Sequence, residues 1–156
     1  MKLVRKKELL LLSQQDCVRF AIFCAEQVKE DWENIPECVN AINIVERWLE
    51  GKATEDECKV AAHAAADAAA DAYAASAYAA SAAANAAYAA TASSAASSAY
   101  AASSAYAAYA YYAADAASTA YAADGNPHFI NAQWNYYNEL LHFDDIAEKA
   151  LLGGVV

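Results

Sequence analysis

Residues 61–124 read AAHAAADAAADAYAASAYAASAAANAAYAATASSAASSAYAASSAYAAYAYYAADAASTAYAAD, and the fold class turns on them. Thirty-eight of these 64 positions are Ala, nine are Ser and nine are Tyr, with His63, Asp67, Asp71, Asn85, Thr91, Asp115, Thr119 and Asp124 making up the rest. There is no Val or Ile in the stretch and only two Thr, so it lacks the alternating β-branched residues that strands need, and an α/β domain is excluded. Ala is the best helix former and no Gly or Pro interrupts residues 52–124, so propensity alone would run one helix of about 70 residues, roughly 100 Å long. A domain of 156 residues cannot hold such a rod. The hydroxyl-rich run Thr91–Ser98, whose side chains compete for backbone groups, is the expected break, which predicts helices near 55–91 and 95–123.

Outward from this centre, helical period fits both flanks. Ser13 to Asp16 has the form of a capping box, and Cys17, Ala21, Cys24 and Val28 follow at spacings of 4, 3 and 4, predicting a helix over about 14–33. Pro36 suits the first turn of a second helix, whose stripe Cys38, Ile42, Val45, Leu49 runs to a stop at Gly51. Thr54 to Glu57 is another capping box, and it opens the Ala tract. Asp124-Gly-Asn-Pro127 ends the tract, Ile130, Trp134, Tyr137 and Leu141 mark a fifth helix, and Phe143–Leu152 a short sixth before Gly153 and Gly154.

The expected fold is therefore all-α: a compact bundle of five to six helices with two central Ala-rich helices. A basic, Leu-rich segment over 1–12 precedes a single helical domain over 13–152, whose Ala-rich centre is 55–123. The composition gives the reason. The chain is 59% hydrophobic, but 45 of those residues are Ala, and all 32 Leu, Ile, Val, Phe, Met and Trp lie outside 61–124. Ala buries little area, at about 25 cal/mol/Å², so Ala helices gain only by close approach, and the heavier flanks should wrap them. Tyr supplies the bulk. Tyr73, Tyr78 and Tyr88 share one side of the first Ala helix, whereas Tyr100, Tyr106, Tyr109, Tyr111, Tyr112 and Tyr121 point all round the second, which suits a helix buried on several sides or a homo-oligomer.

Net charge is −10, and residues 61–156 carry eight acidic side chains against one basic, Lys149. Between Lys59 and Lys149 there is no positive charge, so nucleic-acid binding by phosphate neutralisation is excluded there, leaving only the Lys2, Arg5, Lys6, Lys7 cluster. A protein partner with a basic surface suits the chain better, the plain alternative being charge that keeps an Ala-rich protein in solution. The N-terminus has no signal-like apolar core, the Ala tract is too polar to span a membrane, and a cytoplasmic location is expected. Cys17, Cys24, Cys38 and Cys58 form no C-x-x-C pair and read as buried small apolar residues.

One polar constellation stands out on the first Ala helix: His63, Asp67, Asp71, Tyr78, Ser81, Asn85 and Tyr88 fall within an arc of about 100°. His63, Asp67 and Asp71 could offer metal ligands, but one helix rarely completes a site, and no metal or other cofactor is expected. A small-ligand face is a further reading, and a solvated or partner-facing stripe the preferred one. Tyr100, Tyr106, Tyr109 and Tyr112 are candidate aromatic contacts. No phosphate loop, G-x-S-x-G elbow or H-E-x-x-H occurs, no catalytic residue is assigned, and His128 and His142 read as structural. The two Thr of the tract, Thr91 and Thr119, are too few for an ice-binding ridge.

Cys24-Ala-Glu-Gln-Val28, Ala41-Ile42, Val45-Glu-Arg-Trp-Leu-Glu-Gly51 and Ala61-Ala-His-Ala-Ala65 entering the Ala tract together resemble the immunity proteins of bacterial polymorphic-toxin systems, the immunity-protein-five-like group, over about residues 13–120. The resemblance implies a small all-helical, non-enzymatic protein that neutralises a toxin by binding it, and it carries no contact residue onto this chain. The tract here is richer in Tyr and Ser than in that group and lacks its Arg and extra His. The alternative function is a phage or bacterial sponge that sequesters a nucleotide-type signal in a pocket of Tyr and small residues, against which the missing Lys and Arg count.

Overall fold

The computed structural model describes residues 4–92, 99–123 and 128–153, and every regular element among them is helical. The helices are α1 (Lys6–Leu9), α2 (Gln14–Glu26), α3 (Lys29–Trp32), α4 (Pro36–Leu49), α5 (Glu55–Asp71), α6 (Ala74–Thr91), α7 (Ala99–Ala123) and α8 (His128–Gly153). The all-α expectation holds. Eight helical segments among the described residues replace the expected five to six, and each difference has a physical cause.

The first is at the end of α2. In place of a helix over 14–33, α2 stops at Glu26 and α3 forms a separate turn, with Val28 between them at φ −118°, ψ 28°. The buried Trp32 donates its indole Nε1–H to the Ala25 carbonyl at 2.8 Å, and Val28 N–H donates to the same oxygen at 3.1 Å, so the carbonyl that Lys29 would have taken is already used. At the N-terminus, the segment over 1–12 contains α1, held by the Arg5–Glu8 ion pair at 2.6 Å. Ser13 Oγ accepts from Asp16 N–H at 3.2 Å, but Asp16 turns its carboxylate to Arg19 at 2.8 Å, so only half of that capping box forms. The Thr54–Glu57 box is complete. Pro36 takes the first turn of α4, and Gly51, at φ +72°, closes that helix: Gly51 N–H donates to Trp48 O and Lys52 N–H to Arg47 O, the paired bonds of a Schellman motif.

The second difference decides the architecture. The helix expected over 55–91 breaks at Ala72 and Tyr73, both extended, and restarts at Ala74, whose φ is +50°. No Gly, Pro or capping side chain marks this corner. A continuous helix would leave most of its Ala without partners; folding back lets α6 be enclosed by α2, α3, α4, α5 and α7. Ala79, Ala80, Ala82, Ala83, Ala84, Ala86, Ala87, Ala89 and Ala90 are all buried, which on a helix means burial nearly all round. The central helix is thus α6. On α7 the buried positions among the described residues, Ala107, Ala110, Ala113, Ala114, Ala117 and Ala120, form one face, so of the two Ala-rich helices expected at the centre α6 is the more enclosed.

The heavy side chains wrap this Ala centre as expected. Phe20, Val18, Cys17 and Cys24 of α2, Trp32 of α3, Cys38, Ile42 and Val45 of α4 and Cys58 of α5 are buried, and none of the four Cys is in a disulfide. Gln14, at the start of α2, donates from Nε2 to the carbonyls of Ala89 and Ala90 at 3.3 Å each, satisfying acceptors in the last turn of α6. Thr91 Oγ1 donates to Tyr88 O at 2.9 Å where α6 ends, the hydroxyl competition expected there. Finally, the fifth and sixth helices are one: α8 continues through His142 and Phe143, since no Gly or Pro lies between Pro127 and Gly153. Residues 93–98, the Asp124–Pro127 stop and the side chains of Tyr100, Tyr121, His128, His142 and Phe143–Leu152 lie outside the described residues. Among the described residues no helix is long and apolar enough to cross a membrane.

Candidate functional site

The stripe expected on one helix lies on two. His63, Asp67 and Asp71 occupy the outward face of α5, all exposed, while Tyr78, Ser81, Asn85 and Tyr88 run at i, i+3, i+7 and i+10 along α6. On α6 between Ala79 and Ala92, Ser81, Asn85 and Tyr88 are the positions that are not buried. The line they form is where the central helix reaches the surface, between α5 on one side and α7 on the other.

Folding back brings the two halves of the stripe together across this furrow. Tyr88 Oη lies 2.9 Å from His63 Nδ1, a hydrogen bond, and the rings meet edge to face with centroids 5.4 Å apart. From the other side Tyr109 of α7 stacks on Tyr88 at 5.4 Å and 25°. Tyr112 meets Tyr109 at 6.3 Å, and Tyr111 meets Tyr112 at 6.1 Å, both tilted. His63, Tyr88, Tyr109 and Tyr112 therefore form a continuous aromatic strip across α5, α6 and α7. Burial, then the Tyr109 phenol and the Asp67 carboxylate, push the Tyr88 phenol above its ordinary value, which places the Asp67 charge within electrostatic reach of the strip.

Not every candidate joins it. Asn85 donates Nδ2–H to the backbone carbonyl of Ser81 at 2.9 Å, so its amide turns back onto its own helix. Tyr78 is 49% exposed near the α5–α6 corner. Tyr106 is half-buried and packs against the core, and burial, then Cys17, raises its phenol. Tyr112 is 52% exposed and offers an open ring. Sequence reasoning missed two neighbours of that ring, Tyr111 beside it and the exposed Asp115 one turn further on α7; the i, i+3 spacing of Tyr112 and Asp115 was the available signal.

Two cavities lie elsewhere. One of about 360 Å³ is lined by Asn40, Ile44, Asp56, Glu57, Val60 and Ala61 between α4 and α5, and one of about 240 Å³ by Glu26, Lys29, Trp32, Val39, Ile42, Asn43 and Glu46. Neither includes a residue of the stripe. Among the described residues no three His, Cys, Asp or Glu side chains converge as a metal site would require. Chemically, the strip offers π-faces, a phenol–imidazole pair and adjacent carboxylates, with no Lys or Arg on α6 or α7. Comparison with known proteins returns no matching family model, no matching curated protein and no matching solved structure.

Proposed function

We propose that this is a non-enzymatic binding protein that occludes a basic surface of a partner protein, in the manner of the toxin-neutralising immunity proteins its sequence resembles. The observation that carries the reading is the charge pattern of the α5–α7 surface. Asp67, Asp71 and Asp115 are exposed there, and Lys59 near the start of α5 is the last positive charge before Lys149. A surface of one sign steers an oppositely charged partner and fixes its orientation, at a cost in salt sensitivity. Exposed aromatic rings add the contact area that charge alone lacks, since Tyr is enriched at the centres of interfaces.

The test is recovery of the partner. Purified from its native host in low salt, the protein should carry a stoichiometric basic protein that dissociates at about 0.5 M salt, where the Debye length falls to a few ångströms. That protein should be toxic when expressed alone and harmless when co-expressed with this chain. Recovery of the chain with no stoichiometric partner in low salt overturns the reading.

A further inference from the structure

The aromatic strip specifies which chemical group of a basic partner it would take. Asp67 and Asp115 are exposed and have no ion-pair partner among the described residues. Asp67 stands exposed one helical turn past His63, whose ring is hydrogen-bonded to Tyr88 at 2.9 Å, and so lies on the α5 edge of the furrow. The opposite edge, on α7, is Tyr109 and the open ring of Tyr112. Ring faces carry negative quadrupole charge and attract cations, most strongly when a carboxylate lies beside them. Lys59, the nearest cation on α5, is two turns from Asp67 and does not neutralise it.

An anion would find no Lys or Arg on α6 or α7 to receive it. An ammonium ion would gain charge but is compact and strongly hydrated, whereas a guanidinium is planar, weakly hydrated and stacks on aromatic faces. We propose that the furrow between α5 and α7 is an arginine-binding cradle: an arginine side chain of the partner lies against Tyr109 and Tyr112 with its charge answered by Asp67. This rests on the basic-partner reading above and gives it a specific anchor.

The experiment titrates the full-length protein against fluorescently labelled oligo-arginine and oligo-lysine peptides of equal length in low salt. Variants Tyr112→Ala and Asp67→Asn remove one wall each, and Tyr73→Ala, at the 87% exposed Tyr of the α5–α6 corner, is the control. All three positions are exposed, so circular dichroism should show unaltered helix. Oligo-arginine is expected to bind more tightly than oligo-lysine, and Tyr112→Ala and Asp67→Asn each to weaken it about two- to fivefold, the loss of one exposed cation–π or charge contact. Tyr73→Ala should leave it unchanged. Equal affinity for the two peptides, or arginine binding indifferent to Tyr112→Ala, overturns the cradle while leaving the basic-partner reading standing. Failure of both peptides to bind in low salt overturns both readings.

Discussion

Tyr88 and His63 stand 25 positions apart in the chain and share a hydrogen bond of 2.9 Å across the α5–α6 hairpin. The bond exists because the chain reverses at Ala72 and Tyr73, and it ties the furrow's α5 edge to its floor. Tyr88→Phe keeps the stack on Tyr109 and deletes only the hydroxyl, so a loss of about 1 kcal/mol is expected. Chemical denaturation checks it, and the near-ultraviolet spectrum should keep its tyrosine signal. An unchanged midpoint would show that the bond contributes nothing net.

The Ala centre makes a sharper demand. Ala83 is fully buried on α6, where helices approach on every side and a larger side chain has no space, while Ala70 lies on the exposed face of α5. Ala83→Leu should therefore cost about 1–3 kcal/mol or more through overpacking. Ala70→Leu should lie within about 0.5 kcal/mol of the parent, as surface changes usually do. If both variants melt alike, α6 is not the close-packed centre.

How much of this was legible follows from what each signal depends on. The all-helical class, the Pro36 start, the Gly51 stop and the Thr54–Glu57 box depend on local chemistry, and each is where the sequence puts it. The pairing of Tyr88 with His63 is visible in the sequence only as membership of one stripe, because a helical wheel carries no sign of the reversal that brings α6 back onto α5. The corner at Ala72–Ala74 was illegible: Ala carries equal propensity on both sides of it, so tertiary enclosure of α6 decides where the chain turns. The α2–α3 break was hidden for the same kind of reason, since the Trp32 indole takes the Ala25 carbonyl only after Trp32 is buried.

That corner yields a test of its own. Ala74 sits at φ +50°, a left-handed conformation that costs an L-residue about 1–2 kcal/mol and costs Gly nothing. Ala74→Gly should thus stabilise the protein, by up to about 1 kcal/mol after the extra chain entropy of Gly is subtracted. Destabilisation of that size instead would mean that the residue is right-handed in solution and that α5 and α6 join differently.

Alkaline pH should loosen the molecule. Burial, then Glu37, raises the Cys38 thiol from 9.0 to about 11, and burial, then Glu57 and Glu55, does the same for Cys58; burial pushes Cys24 up as well. A folded value above the unfolded one means the folded state holds its proton more tightly. The stability is thus fully present below the unfolded value near 9 and is lost as pH rises through about 11. Tyr88, Tyr106, Tyr136 and Tyr137, all raised mainly by burial, act in the same direction at higher pH. The urea midpoint should fall between about pH 8 and about pH 10.5, and less steeply in a Cys38→Ala, Cys58→Ala double variant. A flat midpoint across that range would contradict the burial of both thiols.

On α8 the inward stripe is Phe129, Gln133, Tyr137 and Leu140, and its second member is the exception. Tyr137 donates its hydroxyl to the Glu8 carbonyl at 3.0 Å, and Tyr136 stacks on Phe23 of α2 at 4.3 Å, so the helix is docked by aromatic contacts toward both α1 and α2. Gln133 is fully buried among them, and among the described residues neither its Oε1 nor its Nε2 has a hydrogen-bond partner. An amide taken from water without replacement bonds costs roughly 1–3 kcal/mol, which subtracts directly from the docking of α8. Gln133→Met keeps the length and volume of the side chain and removes the unpaid polarity, so it should stabilise the protein by roughly 1–2 kcal/mol. Amide exchange supplies the second readout: protection along α8 should rise in the variant by more than protection along α6, because the gain falls on α8 docking. A Met variant less stable than the parent would mean that the amide is hydrogen-bonded in solution, and that α8 is held by polar contacts at its centre as well as by its rings.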